Sequence, residues 1–252
     1  MGQLKALLLA AGLVFFGLIG FVFSVFALLL SPVFPELRFR ANDVFLVPFS
    51  RFSRLVTGVK LTVMNGGRIH ASRPAILVGN HQSGLDLAFI SQACPHRSVI
   101  VGKREIAYIP VFGWFFAIAG NLLINRSDKA GSKARIDAVR EKLGKHSLNL
   151  AIFPEGTRSK TGGILPFKRG AFYLAVSTGY PLIPVVCSSL KGKAVWETFD
   201  LKGGNVVISV LPPIETKDLN LSDLAAFSDR VRGMMIEEFE RVTGLANRLD
   251  VR

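Results

Sequence analysis

Two patterns of apolar and polar positions divide the chain. From Ala6 to Leu30 runs a segment of 25 residues with no charge and one hydroxyl, Ser24. As a helix it is about 37 Å long, more than the roughly 30 Å hydrocarbon core of a bilayer. Cleaved signal peptides carry apolar regions of only about 7–15 residues, and no small-x-small cleavage site follows, so the run reads as an anchor. With Gly12, Gly17 and Gly20 inside it, the run fits a tilted span or a helix hairpin dipping into one leaflet. Between Arg40 and Lys60, the positions Phe45, Leu46, Phe49, Phe52, Leu55 and Val56 make a nearly helical stripe. Apolar residues interleaved with arginines in this way suit a helix lying in the headgroup layer.

Beyond residue 70 the pattern changes to short apolar runs alternating with helical stretches. Ala75–Val78, Ser98–Val101, Leu148–Phe153, Leu182–Val186 and Val206–Leu211 read as buried strands. Helices are expected through Leu87–Ala93, Ala134–Leu143 and Ala171–Ser177. A last helix is expected from Ser222, as N-cap, to Val242, closed by Gly244. Such alternation predicts an α/β fold: a mixed, largely parallel sheet flanked by helices. The expected organisation is an N-terminal membrane-anchoring helical segment over residues 1–70 and a catalytic α/β domain over 71–252.

Composition sharpens this picture. Thirty-one Lys and Arg against 18 Asp and Glu leave a net charge of +13, which calls for an anionic partner. Residues 37 to 73 hold seven of the basic residues and one acid, Asp43, directly after the apolar run. The positive-inside rule puts the C-terminal side in the cytoplasm, and a lipid surface explains the charge. No zinc-finger spacing, basic heptad helix or aromatic RNA-binding signature supports nucleic acid as the partner. Cys94 and Cys187 form no CxxC pair and suggest neither a zinc site nor a disulfide framework.

Three polar clusters follow predicted strands, where ligands bind in open α/β sheets. In Asn80-His81-Gln82-Ser83-Gly84-Leu85-Asp86, a turn entering a helix lets Asp86 orient the His81 imidazole as a general base; the same residues also fit an idle surface turn capped by Asp86. Ser83 lacks the context of a nucleophile elbow. In Phe153-Pro154-Glu155-Gly156-Thr157-Arg158-Ser159, Gly156 allows close backbone approach and Arg158 offers a fork for phosphate, or else is a solvated arginine in a turn. Lys103 ends a third strand and could also reach a phosphate. The apolar stretch Ile109–Ile124 is core, the wall of an acyl tunnel, or further membrane contact, and ends in Asn125-Arg126.

In order, these clusters resemble the glycerolipid acyltransferase family, specifically bacterial 1-acylglycerol-3-phosphate (lysophosphatidate) acyltransferases. Residues 80–86 fit its N-H-x-x-x-x-D signature. Lys103-Arg104-Glu105 through Arg126 resembles its second block, Phe153–Ser159 its third, and Ile183-Pro184-Val185-Val186 its fourth. Asn125 departs from the family's usual Asp before the arginine. The resemblance implies that His81, oriented by Asp86, deprotonates the sn-2 hydroxyl of lysophosphatidate, which attacks an acyl thioester to give phosphatidate. It implies no acyl-enzyme, no metal and no cofactor, the thioester of coenzyme A or acyl carrier protein being a co-substrate. Lys103, Arg158 and Arg126 are the implied phosphate ligands, with Glu155, Gly156 and Thr157 shaping the pocket. Partners are then membrane lipids, lysophosphatidate and the acyl donor, at a bacterial inner membrane with the catalytic domain on the cytoplasmic side. Rival readings keep the chemistry on another acceptor, such as lyso-ornithine lipid or another lysophospholipid, or make the chain a catalytically silent lipid-binding protein.

Overall fold

A computed structural model describes the chain apart from residues 35, 72–73, 95, 125–131 and 252, and apart from the side chains of residues 70–71 and 132–135. Its N-terminal elements are α1 (Gly2–Leu29), α2 (Ala41–Thr57), β1 (Val59–Met64) and α3 (Gly67–Ala71). Then follow β2 (Ile76–Gly79), α4 (Asp86–Ile90), β3 (Ser98–Lys103), α5 (Phe112–Ile118) and β4 (Leu122–Ile124). The chain continues through α6 (Ser132–His146), β5 (Asn149–Ile152), α7 (Gly170–Thr178), β6 (Leu182–Cys187), β7 (Gly204–Val210) and α8 (Leu224–Asp250).

The strands form one seven-stranded sheet in the order β1-β7-β6-β2-β5-β3-β4. Every pairing is parallel except β6 with β7, so the sheet is mixed and mostly parallel. The central strands β2, β5 and β6 are buried on both faces and read as almost continuous apolar runs, as strands covered by helices on both sides must. Alternate residues serve opposite faces. Ile76, Val78, Leu150 and Val207 pack with Leu143, Phe172, Val231 and Met235 of α6, α7 and α8. On the other side, Leu77 packs with Phe89 of α4, while Ile100 and Ala151 pack with Phe45 and Phe49 of α2 and Phe115 of α5.

The N-terminal segment is a helix hairpin lying along the second face. Helix α1 runs antiparallel to α2: Lys5 meets Thr57, Gly12 meets Phe52, and Gly20 meets Phe45. A Cβ at Gly12 would stand 2.2 Å from the Phe52 ring, and one at Gly20 2.8 Å from Phe115. These glycines therefore mark where the two helices and α5 approach closely. The start of α1 is tied to the body, since the Lys5 ammonium donates to the Leu201 carbonyl at 2.8 Å. Its outward face, with Leu7, Phe15, Leu18, Val22 and Phe26, remains exposed. Among the described residues α1 is the one helix long and apolar enough to cross a membrane.

Several elements differ from the sequence expectation. The first half of the α2 stripe faces inward, with Phe45, Leu46 and Phe49 buried, while Phe52 and Val56 are half-buried and Leu55 is exposed; the larger exposed apolar face belongs to α1. Strand β1 lies before residue 70 yet pairs with β7 as the sheet's edge, so the sheet reaches back across the expected boundary. Helix α8 continues through Gly244 to Asp250 because its last turn is clamped. The Asp250 carboxylate accepts from Asn205 N at 2.6 Å and from the Lys193 ammonium at 2.8 Å. Asp223, rather than Ser222, precedes its first turn, with no side-chain cap.

Candidate active site

The site is built where β2 and β5 end. After Gly79 the chain leaves the sheet, and Asn80, itself buried, fastens the turn to the end of β6. Its side-chain oxygen accepts from Cys187 N at 2.8 Å and its amide donates to Cys187 O at 3.0 Å. Gln82 does the same one turn further on, accepting from Leu190 N at 3.0 Å. On this fastened loop Asp86, the first residue of α4, is fully buried. One of its oxygens accepts from His81 Nδ1 at 2.7 Å, from Ser83 N at 2.8 Å and from Gln82 N. Held this way, Nδ1 carries the ring proton and Nε2 keeps its lone pair, the tautomer a general base requires.

The imidazole is fixed from two more sides. The Phe153 ring stacks on it at 4.3 Å with 9° between planes. Glu155 is buried behind the turn: one oxygen accepts from His81 N at 2.7 Å, the other from Leu165 N at 3.0 Å. Ser159 N donates to the His81 carbonyl at 2.8 Å. The segment 153–159 thus holds His81 by ring, amide and carbonyl. Burial pushes the Glu155 carboxyl up to about 7, against the two backbone donors that favour its ionised form. Gly156 takes a left-handed φ of 70°, which favours glycine, and the end of the Lys168 side chain lies over it.

His81 borders a cavity of about 620 Å³, within the range of small-molecule sites. The cavity has two characters. Around its mouth stand His81 and the exposed Lys103, Glu105, Thr157, Arg158 and Glu197. Its interior is walled by Phe45 and Phe49 of α2, Phe112 and Phe116 of α5, Leu13 of α1 and Ile100 of β3. Arg158 pairs with Glu197, whose same oxygen also accepts from Gly84 N at 2.8 Å. Among the described residues no three His, Cys, Asp or Glu side chains could hold a metal ion.

His81, Lys103, Thr157 and Arg158 are therefore gathered at one mouth, from three strand ends 77 residues apart in sequence at most, with Asp86 buried behind His81. Glu155 and Gly156 do not line the cavity: Glu155 turns inward to support His81, and Gly156 lies under Lys168. Arg126 falls outside the described residues. Of the readings open for Ile109–Ile124, the start of the stretch is cavity wall, through Ile109, Phe112 and Phe116. Sequence reasoning missed Glu197 as a mouth residue and Trp196 as wall. Neither belongs to a motif, and the tie from Trp196 N to Ser83 Oγ at 3.2 Å spans 113 residues.

Comparison with known proteins finds matches in both sequence and fold. Residues 60–188 match the family model described as "Acyltransferase". The 1-acyl-sn-glycerol-3-phosphate acyltransferase of Haemophilus influenzae is 36% identical over 177 residues, 69% of this chain and 72% of that protein. The alpha form from Homo sapiens is 34% identical over 186 residues, 74% of this chain and 66% of that protein. The crystal structure of the 1-acyl-sn-glycerophosphate (LPA) acyltransferase from Thermotoga maritima shares the fold, with a TM-score of 0.70 at 22% identity, covering 95% of this chain and 98% of that one.

Proposed function

The chain belongs to the acyltransferase family, and from that premise we propose that it transfers an acyl group from a thioester to the sn-2 hydroxyl of lysophosphatidate, giving phosphatidate. The observation that carries this reading is the position of the His81–Asp86 pair, with His81 on a cavity that has both charged residues, Lys103 and Arg158 among them, and an apolar aromatic wall. A lysophospholipid has a charged phosphate beside a free hydroxyl, and an acyl donor has a long apolar chain beside a carbonyl. The cavity offers complementary surfaces to both.

In the proposed reaction His81 Nε2 takes the hydroxyl proton as the oxygen attacks the thioester carbonyl. The resulting imidazolium is stabilised by the buried Asp86 carboxylate. The tetrahedral intermediate then expels the thiolate, which receives the proton from His81, so the ester and the free thiol leave and the neutral imidazole returns. No acyl-enzyme is needed. Lys103 and Arg158 bind the phosphate, with Thr157 beside them; Arg126 joins them by resemblance to the family. Glu155 acts indirectly, by holding the His81 backbone. The donor chain lies among Phe45, Phe49, Phe112 and Phe116. Coenzyme A and acyl carrier protein both fit this scheme as carriers.

The exposed apolar face of α1, beside the arginines of residues 38–54, supports attachment to an anionic membrane. The contacts of α1 with α2, α5 and Leu201 along its length favour a hairpin seated in one leaflet over a lone span. The charge excess after α1 favours the cytoplasmic face of a bacterial inner membrane.

The deciding experiment is acyl transfer by purified protein in detergent, wild type beside His81→Ala, with lysophosphatidate and labelled acyl thioesters of coenzyme A and of carrier protein. Phosphatidate from wild type and at least about a hundredfold less from the variant is expected. Equal activity in both removes His81 as the base. No phosphatidate from wild type with either donor overturns the acceptor.

A further inference from the structure

The mouth of the cavity already contains an anion supplied by the chain itself. Glu197 lies in the short 3-10 turn Trp196–Thr198, outside the motifs and 39 residues after Arg158. Its Oε1 is held by two donors, the Arg158 guanidinium and the Gly84 backbone N–H. A Cβ on Gly84 would lie 3.1 Å from that oxygen and 3.9 Å from Arg158 Nη1, so the absence of a side chain leaves room for an oxyanion against the turn. All three residues line the cavity that His81 borders.

The turn that presents Glu197 is anchored independently of this contact. Val195 and Asp200 exchange backbone hydrogen bonds at 2.9 and 3.0 Å, Trp196 N donates to Ser83 Oγ at 3.2 Å, and the Leu201 carbonyl receives Lys5. The backbone is thus held in place while the carboxylate remains about one-third exposed and able to swing out to water. An exposed ion pair of this kind is cheap to break.

We propose that Glu197 is a placeholder for the acceptor's phosphate: its carboxylate fills the seat formed by Arg158 and Gly84 N–H, is displaced when a phosphomonoester enters, and so sets the affinity and headgroup selectivity of the acceptor site. The inference rests on the phosphate-binding reading of Arg158. A doubly charged phosphomonoester outcompetes a single carboxylate for a guanidinium, because it brings more charge and more acceptor oxygens to the same donors. A phosphodiester headgroup, with one charge and a bulky substituent, displaces it less readily. Glu197 also keeps Arg158 neutralised in the empty site, and it repels a phosphate until it has moved aside.

The test is acceptor kinetics of Glu197→Gln, which keeps an oxygen for Gly84 N–H and removes the charge from Arg158, with Glu197→Ala as a second variant. The KM for lysophosphatidate should fall about two- to fivefold, the range a half-exposed ion pair supports, with the change in KM rather than kcat. Inhibition by sn-glycerol 3-phosphate, which carries the phosphate without the chain, should strengthen by a similar factor. The preference for lysophosphatidate over lysophosphatidylglycerol should narrow. In an Arg158→Gln background, where KM is already raised, Glu197→Gln should lower it by less than in the wild-type background, because only the direct repulsion is left to relieve. A KM for either Glu197 variant that is unchanged or raised, with Arg158→Gln still raising KM, overturns the placeholder and leaves Arg158 as the phosphate ligand. An Arg158→Gln variant of normal KM overturns both.

Discussion

The two ends of the cavity are built by opposite means. At the polar end His81 is held by hydrogen bonds to its ring, amide and carbonyl and by a stacked ring, with donors and acceptors from residues 86, 155 and 159. At the apolar end Phe45, Phe49, Phe112 and Phe116 come from helices α2 and α5 and meet through ring contacts, such as Phe45–Phe115 at 4.8 Å. Hydrogen bonds are directional and costly to leave unmade in a buried setting, whereas dispersion contacts are summed over many atoms and tolerate rearrangement. The polar end should therefore be intolerant of conservative changes, and the apolar end should respond gradually to volume.

The sharpest test of that contrast is Asp86→Asn. The amide retains the carboxylate's shape, and its oxygen can still accept from Ser83 N, Gln82 N and His81 Nδ1, but it offers no charge to an imidazolium. We expect kcat to fall by about 10² or more while the melting temperature changes little; single-turnover acyl transfer and a thermal melt measure both. A loss of less than tenfold would show that the polar end tolerates what the comparison says it cannot.

Glu155→Gln comes next, with about a tenfold loss in kcat expected, because one of two N–H donors, His81 or Leu165, then faces an NH₂ group. Its stability effect has a definite sign. The folded-state pKa of Glu155 is raised to about 7 from 4.5, so between those pH values the native state binds the extra proton. Stability of the wild type relative to the glutamine variant should thus decline as pH rises from about 4.5 to about 7, by at most about 1.4 kcal/mol per pH unit, and then level off. Denaturant titrations of the two proteins at pH 5, 6, 7 and 8 check this, and a gap that widens in the opposite direction refutes it.

At the apolar end, Ala88→Leu adds volume from α4 to a cavity that has room for it. Here the expected result is graded. Transfer from long-chain donors should fall severalfold, donors several carbons shorter should be nearly unaffected, and His81 chemistry should persist. A donor series of increasing chain length reads this directly, and a uniform loss across the series would mean that the wall and the catalytic turn are coupled.

The same contrast explains what was legible in the sequence. His81 and Asp86 lie five residues apart on one turn, so their pairing is a local matter and was readable from the motif. The identity of Glu155 was readable too, but its direction was not: a motif gives residue types, and only the packing around Leu165 and His81 turns the carboxylate inward. Glu197 and Trp196 reach the mouth by way of Ser83 and Gly84, more than 100 residues earlier, with no local signal. Periodicity revealed the apolar side of α2 but not whether lipid or α5 covers it. Strand β1 was missed for a related reason, since its partner β7 lies some 140 residues on. The extension of α8 past Gly244 depends on Lys193 and Asn205, a tertiary clamp that overrides a local stop signal.

The smallest expected effect on activity tests whether the apolar end has any directional fastening of its own. It has one among the described residues in the buried pair Asn42 and Asn121, which joins the first turn of α2 to the approach to β4. Each amide donates to the other's oxygen at 2.8 Å; Asn42 also donates to Ser98 O at 2.8 Å, and Asn121 accepts from Ile100 N at 2.9 Å. Asn42→Ala leaves the Asn121 amide short of a partner in a buried setting, at a cost of about 1–3 kcal/mol. For a chain of this size that lowers the melting temperature by about 3–10 °C. Because α2 carries Phe45 and Phe49, loosening its first turn should blur the chain-length profile of the Ala88→Leu and Ala88 enzymes alike, while kcat with the preferred donor stays within about twofold. A melt and a donor series on one preparation suffice. If stability falls but the profile stays sharp, the wall is positioned by the aromatic packing of α2 against α5 alone, and directional bonds matter only where the proton moves.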